Sequence, residues 1–70
     1  MYADFIRETL AKQGHIGRYD PRHVEAYMRL EHSTLDGLSK SQFASEVAMA
    51  VECINAEPSQ AEALAQSFGL

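Results

Sequence analysis

Three histidines are the residues of this chain that could most readily bind a metal ion, and their spacing argues against a shared site. His23 and His32 are nine residues apart, and at about 100° per residue this places them on roughly opposite sides of one helix. His15 falls in a predicted loop, and the chain contains no HExxH motif and no Cys–His spacing of the zinc type. The sequence therefore predicts neither a metal site nor a cofactor.

Residues that could act as nucleophiles or general acids give equally little support for catalysis. The serines occupy predicted helix caps, turns and solvated positions, and none lies in a Gly-x-Ser-x-Gly elbow. Cys53, the single cysteine, follows Glu52 and has no cationic neighbour in sequence to stabilise a thiolate. Glu31 interrupts the apolar side of its predicted helix, so either the helix unwinds there or the carboxylate has a partner within the protein. We expect a protein that is not an enzyme.

The composition is that of a small folded domain with an uneven charge distribution. The chain has 70 residues, of which 46% are hydrophobic and 23% charged, and its net charge is −4. All six Lys and Arg residues lie within residues 1–40, whereas residues 41–70 carry four acidic residues and no basic one. A chain without a basic excess is a poor candidate for non-specific nucleic-acid binding.

Length and cysteine usage bear on the environment of the protein. A single domain of this size has a thin core, and the lone cysteine excludes an internal disulfide, so self-association as a homodimer is the expected source of further burial. Charged residues interrupt the N-terminal apolar residues, which argues against a signal peptide or a membrane span. Together with the free thiol, this predicts a cytoplasmic protein.

The elements that must position these residues are helices. Apolar residues recur at helical spacing, so we expect an all-α, compact four-helix domain that includes residues 1–70. The predicted helices cover about residues 3–13, 21–32, 39–55 and 58–68. Gly14 can end the first helix, Asp20 and Pro21 can open the second, and Ser39 with Gln42 can form a capping box for the third.

The third helix is predicted to be central and hydrophobic, with the other three packed around it. Its inner side is expected to consist of Phe43, Val47, Val51 and Ile54. The apolar side of the first helix is expected to consist of Tyr2, Phe5, Ile6, Thr9 and Leu10. Ile16 is expected to anchor the following loop in the core.

Two surfaces are candidates for binding another protein, and we expect the chain to be an interaction or regulatory module. A second apolar side of the third helix, a candidate for self-association, consists of Met49, Cys53 and Ala50. A polar surface of mixed charge, a candidate for binding a different partner, consists of Arg18, Arg22, His23, Arg29 and His32.

The alternative function is that of a DNA-binding regulator of the helix-turn-helix type, built from the second and third helices. Its DNA contacts would come from Lys40, Ser41, Gln42 and Arg29, which can bond phosphates or base edges. Against this alternative, the predicted turn from Ser33 to Ser39 is longer than the usual turn of about 3–4 residues in that motif.

Overall fold

Four α-helices make up the fold in the computed structural model, which describes residues 2–70. The helices are α1 (Tyr2–Lys12), α2 (Pro21–Arg29), α3 (Lys40–Ala56) and α4 (Ala61–Ser67), and a 3₁₀ turn at Pro58–Gln60 leads into α4. Residues 2–70 contain no strand. The prediction of an all-α, compact four-helix domain is confirmed. Within these residues, no helix combines the length and the apolarity needed to cross a membrane.

The helix ends follow from local sequence. The carboxylate of Asp20 accepts a hydrogen bond of 2.9 Å from the Arg22 amide and caps α2. The predicted capping box of α3 is present: the Ser39 hydroxyl accepts from the Gln42 amide at 3.2 Å, and the Gln42 side chain accepts from the Ser39 amide at 2.9 Å. After α4, Gly69 takes a φ of 75°, which lets the following amide bond back to the carbonyl of Ala65.

The core lies where α2 meets the other three helices. Its most deeply buried large side chains, each less than 2% exposed, are Ile6, Met28, Val24 and Val47. Three of the four residues predicted for the inner side of α3 are buried and Phe43 is partly buried. The expectation that α3 is the central helix is wrong in one respect, because α1, α3 and α4 each form their most extensive helix–helix contacts with α2. The outer side of α3 is left exposed.

Helix α2 is shorter than predicted, because it ends at Arg29 rather than near residue 32. The next two residues form a turn in which the Glu31 amide bonds to the carbonyl of Met28 at 3.2 Å. Unwinding leaves Glu31 exposed and lets the chain return Leu35, which is 3% exposed, to the core. Of the two alternatives predicted for Glu31, the structure contains the unwound helix.

Two other residues differ from expectation. Glu25 lies three residues after Arg22 and four before Arg29, a spacing that predicts an outward position on α2, but it is only 7% exposed. Ile16 was expected in the core but is 79% exposed, since the loop after α1 directs it outward. The packing of α2 against the other helices decides the burial of Glu25, and the path of the loop decides the exposure of Ile16; the pattern of a single helix contains neither.

Candidate functional site

Arg22 and His23, two residues of the predicted partner surface, hold α4 against α2. Arg22 Nη2 lies 2.6 Å from Glu62 Oε1 and 3.2 Å from Asp20 Oδ2, and Arg22 Nη1 donates to the Leu70 carbonyl at 3.1 Å. His23 Nε2 lies 2.9 Å from the same Glu62 oxygen. These two side chains are therefore engaged within the fold.

The ion pairs of Glu62 are expected to make the protein sensitive to acid. The hydrogen bond with His23, followed by that with Arg22, lowers the pKa of Glu62 from 4.5 to about 2. A carboxylate with a depressed pKa stabilises the fold above its unfolded value, and this contribution is lost as the pH falls through its folded value. We expect the melting temperature to fall between pH 4.5 and about pH 2, and Glu62→Gln to reduce that fall.

Thermal unfolding followed by circular dichroism measures this difference. Glu52→Gln is the matched control, because Glu52 is exposed on α3 and forms no ion pair within residues 2–70. Equal acid sensitivity in the wild type and Glu62→Gln would contradict the assignment.

Arg29 belongs to a different cluster, at the other end of α2. Its Nη2 lies 2.7 Å from Glu25 Oε2, and its guanidinium carbon lies 5.8 Å from the ring centroid of Tyr2. The Tyr2 hydroxyl in turn donates to Asp36, and this hydrogen bond raises the pKa of Tyr2. Arg29 therefore connects α2 to α1. Arg29 was predicted to contact a partner or DNA, but its side chain is already bonded within the fold.

His32 and Arg18 lie apart from both clusters. His32 Nε2 is 3.5 Å from Oε2 of Glu46 on α3, and Arg18 is exposed in the loop between α1 and α2. The five residues of the predicted partner surface thus fall into separate environments, because those on α2 contact different elements and the other two lie outside α2.

The predicted DNA-contact residues are exposed, but their setting differs from a helix-turn-helix. Lys40, Ser41 and Gln42 form the exposed first turn of α3, where Gln42 is part of the capping box. Residues 30–39 separate α2 from α3, which is more than twice the usual turn of about 3–4 residues in that motif.

Only part of the predicted self-association surface is exposed to solvent. Met49 is 46% exposed and Cys53 is exposed, but Ala50 is 3% exposed and lies in the core. Ala50 follows Val47 by three residues and shares its inward side. The outer side of α3 therefore presents Met49 and Cys53 without Ala50.

A groove lies between α1 and α3. Its volume is about 600 Å³, its floor includes Leu35 and Leu38, and Phe5 on its α1 wall is 59% exposed. Phe43 and Ala44 line the opposite wall on α3. Sequence reasoning missed this groove, because it assigned Phe5 to the core side of α1.

Hydrogen bonds between elements lie near the two ends of the α1 wall of the groove. Tyr2 bonds to Asp36 at one end, and Gln13 Nε2 donates to the carbonyl of Ala44 at 2.9 Å at the other. Lys12 and Lys40 also line the groove, and within residues 2–70 neither forms an ion pair. The groove thus combines an apolar floor with two cations that have no acidic partner in this part of the chain.

Comparison with protein-family models, with curated proteins and with solved structures finds no match to this chain. The geometry and chemistry of its own residues are therefore the basis for assigning a function.

Proposed function

We propose that this protein is a non-enzymatic interaction module that binds an amphipathic helix of a partner protein in the groove between α1 and α3. The observation that carries the proposal is the exposure of Phe5, 59%, on the wall of an apolar groove of about 600 Å³. A half-exposed aromatic side chain beside a groove is the type of residue that dominates binding energy in protein interfaces.

The length of the groove favours an elongated partner. Its α1 wall includes residues from Tyr2 to Gln13. At a rise of 1.5 Å per residue, these residues extend over about 16 Å, which is about three turns of a helix. An occupant of that length can place apolar side chains at helical spacing along Phe5 and Phe43, as helices do in other apolar grooves.

The charges of the groove favour a partner with acidic residues beside its apolar face. Lys12 and Lys40 line the groove without ion pairs in residues 2–70, and acidic side chains of a partner could bond them. Glu8 and Asp36 line the groove as well, so the acidic residues of the partner are expected beside Lys12 on the α1 wall and beside Lys40 on the α3 wall.

Binding of synthetic helical peptides tests the proposal. One peptide carries Leu on one face with Glu along the edge of that face, and a second carries Lys in place of Glu. We expect the Glu peptide to bind more tightly and Phe5→Ser to weaken its binding at least tenfold, since loss of a central aromatic contact commonly costs more than about 1.4 kcal/mol.

Leu30→Ser is the matched control, because Leu30 is 58% exposed and lies outside the groove. Fluorescence anisotropy at several salt concentrations gives the affinities. The proposal is rejected if the wild type binds neither peptide, or if Phe5→Ser and Leu30→Ser bind as the wild type does.

Self-association as a symmetric homodimer is part of the same proposal, with Met49 and Cys53 as its contact residues. Both are exposed on the outer side of α3, away from Phe43 in the groove wall. The solution mass across a dilution series, measured on the samples used for peptide binding, separates copy-to-copy contacts from peptide binding. The free thiol of Cys53 supports placing the module in a reducing compartment such as the cytoplasm.

A further inference from the structure

Three side chains that could ligate a metal converge where the turn after α2 meets α3. Glu31 and His32 come from the turn, and Glu46 comes from α3. One ligating atom from each side chain lies within 4.8 Å of those of the other two. We infer that these three residues bind a divalent transition-metal ion, with Zn²⁺ the best match to one imidazole nitrogen and two carboxylates.

The environment of the His32 ring also supports this inference. Its Nε2 atom is shielded from solvent and forms no hydrogen bond among the described residues, while the His32 side chain is 32% exposed and Glu46 Oε2 lies 3.5 Å from that nitrogen. A buried polar nitrogen without a partner is unusual in a folded protein. A metal ion bound at Nε2 would satisfy that nitrogen, and neutral imidazole is a common ligand of Zn²⁺.

The distance between two of the ligand atoms fits tetrahedral coordination. His32 Nε2 and Glu46 Oε2 are 3.5 Å apart, so a metal bonded to both at about 2.1 Å would subtend an angle of about 113°. The tetrahedral angle is about 109°. These two side chains are therefore spaced for a metal before any rearrangement, and the exposed carboxylate of Glu31 lies within 4.8 Å of both ligand atoms.

A second cluster of similar composition already contains a cation from the protein itself, which excludes a metal ion from it. Asp20, His23 and Glu62 also have ligating atoms within 4.8 Å of one another. The guanidinium of Arg22 bonds both carboxylates of that cluster, at 3.2 Å and 2.6 Å, and occupies the position of the cation. By contrast, no Lys or Arg of residues 2–70 forms an ion pair with Glu31 or Glu46.

Space for a further ligand adjoins the proposed site. A cavity of about 190 Å³ is lined by His32 and Glu46 together with Ser41 and Ser45 of α3. Three protein ligands with an open fourth position are typical of Zn²⁺ sites that hold an exchangeable water. Metal binding would also join the turn after α2 to α3, two segments that are distant in sequence.

Calorimetric titration with Zn²⁺ tests the inference, with all proteins carrying Cys53→Ser so that the exposed thiol does not compete. We expect saturable binding of one Zn²⁺ per chain. His32→Gln should weaken it at least tenfold, since loss of even a residue that only supports a ligand has effects of about 10–100-fold. His23→Gln and Glu52→Gln are the matched controls and should bind as the parent does.

Two further measurements separate loss of the site from loss of the fold. Glu46→Gln is isosteric and should also weaken Zn²⁺ binding at least tenfold, with helix content by circular dichroism unchanged. The melting temperature of the parent should rise with Zn²⁺ concentration, because a ligand that binds only the folded state stabilises it. The inference is overturned if the parent binds no Zn²⁺, or if His32→Gln or Glu46→Gln binds Zn²⁺ as tightly as the parent does.

Discussion

Met28→Ala is expected to lower the free energy of unfolding by about 2–5 kcal/mol, the range for truncating a large apolar side chain in a packed core. Met28 is 1% exposed and lies on α2, the helix that contacts the other three. The cavity left by the substitution would therefore lie at the centre of the core. For a chain of 70 residues the whole stability is about 3.5–10 kcal/mol, so the loss is a large share of it.

The same substitution at Met49 is the matched control. Met49 is 46% exposed on the outer side of α3, so in the monomer, at a protein concentration too low for self-association, Met49→Ala should change the free energy of unfolding by no more than about 0.5 kcal/mol. Urea unfolding followed by circular dichroism measures the free energy of unfolding of both variants. In thermal unfolding, the melting temperature of Met28→Ala should fall by at least about 10 °C. Equal effects at the two positions would mean that α2 is not the centre of the fold.

Arg29→Met is expected to destabilise the protein by about 1–3 kcal/mol, because it leaves the buried carboxylate of Glu25 without its partner. Glu25 is 7% exposed, and its Oε2 lies 2.7 Å from Nη2 and 2.8 Å from Nε of Arg29. Methionine keeps much of the length and apolar surface of the arginine side chain, so the change tests the charge and its hydrogen bonds more than the packing.

Two comparisons isolate the effect of the unpaired carboxylate. Arg7→Met removes the partner of Asp4, but both side chains of that pair are mostly exposed, so its effect should be small. Adding Glu25→Gln to Arg29→Met should recover part of the lost stability, because a buried neutral amide costs less than an unpaired charge. If the double variant is less stable than Arg29→Met, the carboxylate of Glu25 is not the cause of the loss.

Local features of the sequence predict the number of helices and most of their ends. The reciprocal hydrogen bonds of Ser39 and Gln42, the Asp20 cap and the turn at Gly69 depend on residues within a few positions of one another. The buried side of α3 follows from the spacing of Val47, Val51 and Ile54 in the same way. Residues close together in the chain form these interactions, so they do not depend on how the helices pack.

Features that depend on which helices touch could not be predicted in this way. The proximity of Glu46 on α3 to His32 cannot be predicted from the spacing of the histidines in the sequence. The position of Phe5 in a groove wall cannot be predicted from the apolar residues of α1 alone. The burial of Glu25 likewise required the position of α2 among the other helices.

The sequence by itself determined the helical class, the caps and the inward side of α3, because each depends on short-range hydrogen bonds or on the periodicity of a single helix. Only the tertiary structure decided that Arg22 is bonded to Glu62, that Met49 is exposed while Ala50 is buried, and that α1 and α3 leave a groove. The physical reason is that these features depend on contacts between residues far apart in the chain. Such contacts are set by how helices pack on one another, and the pattern of a single helix does not specify its neighbours.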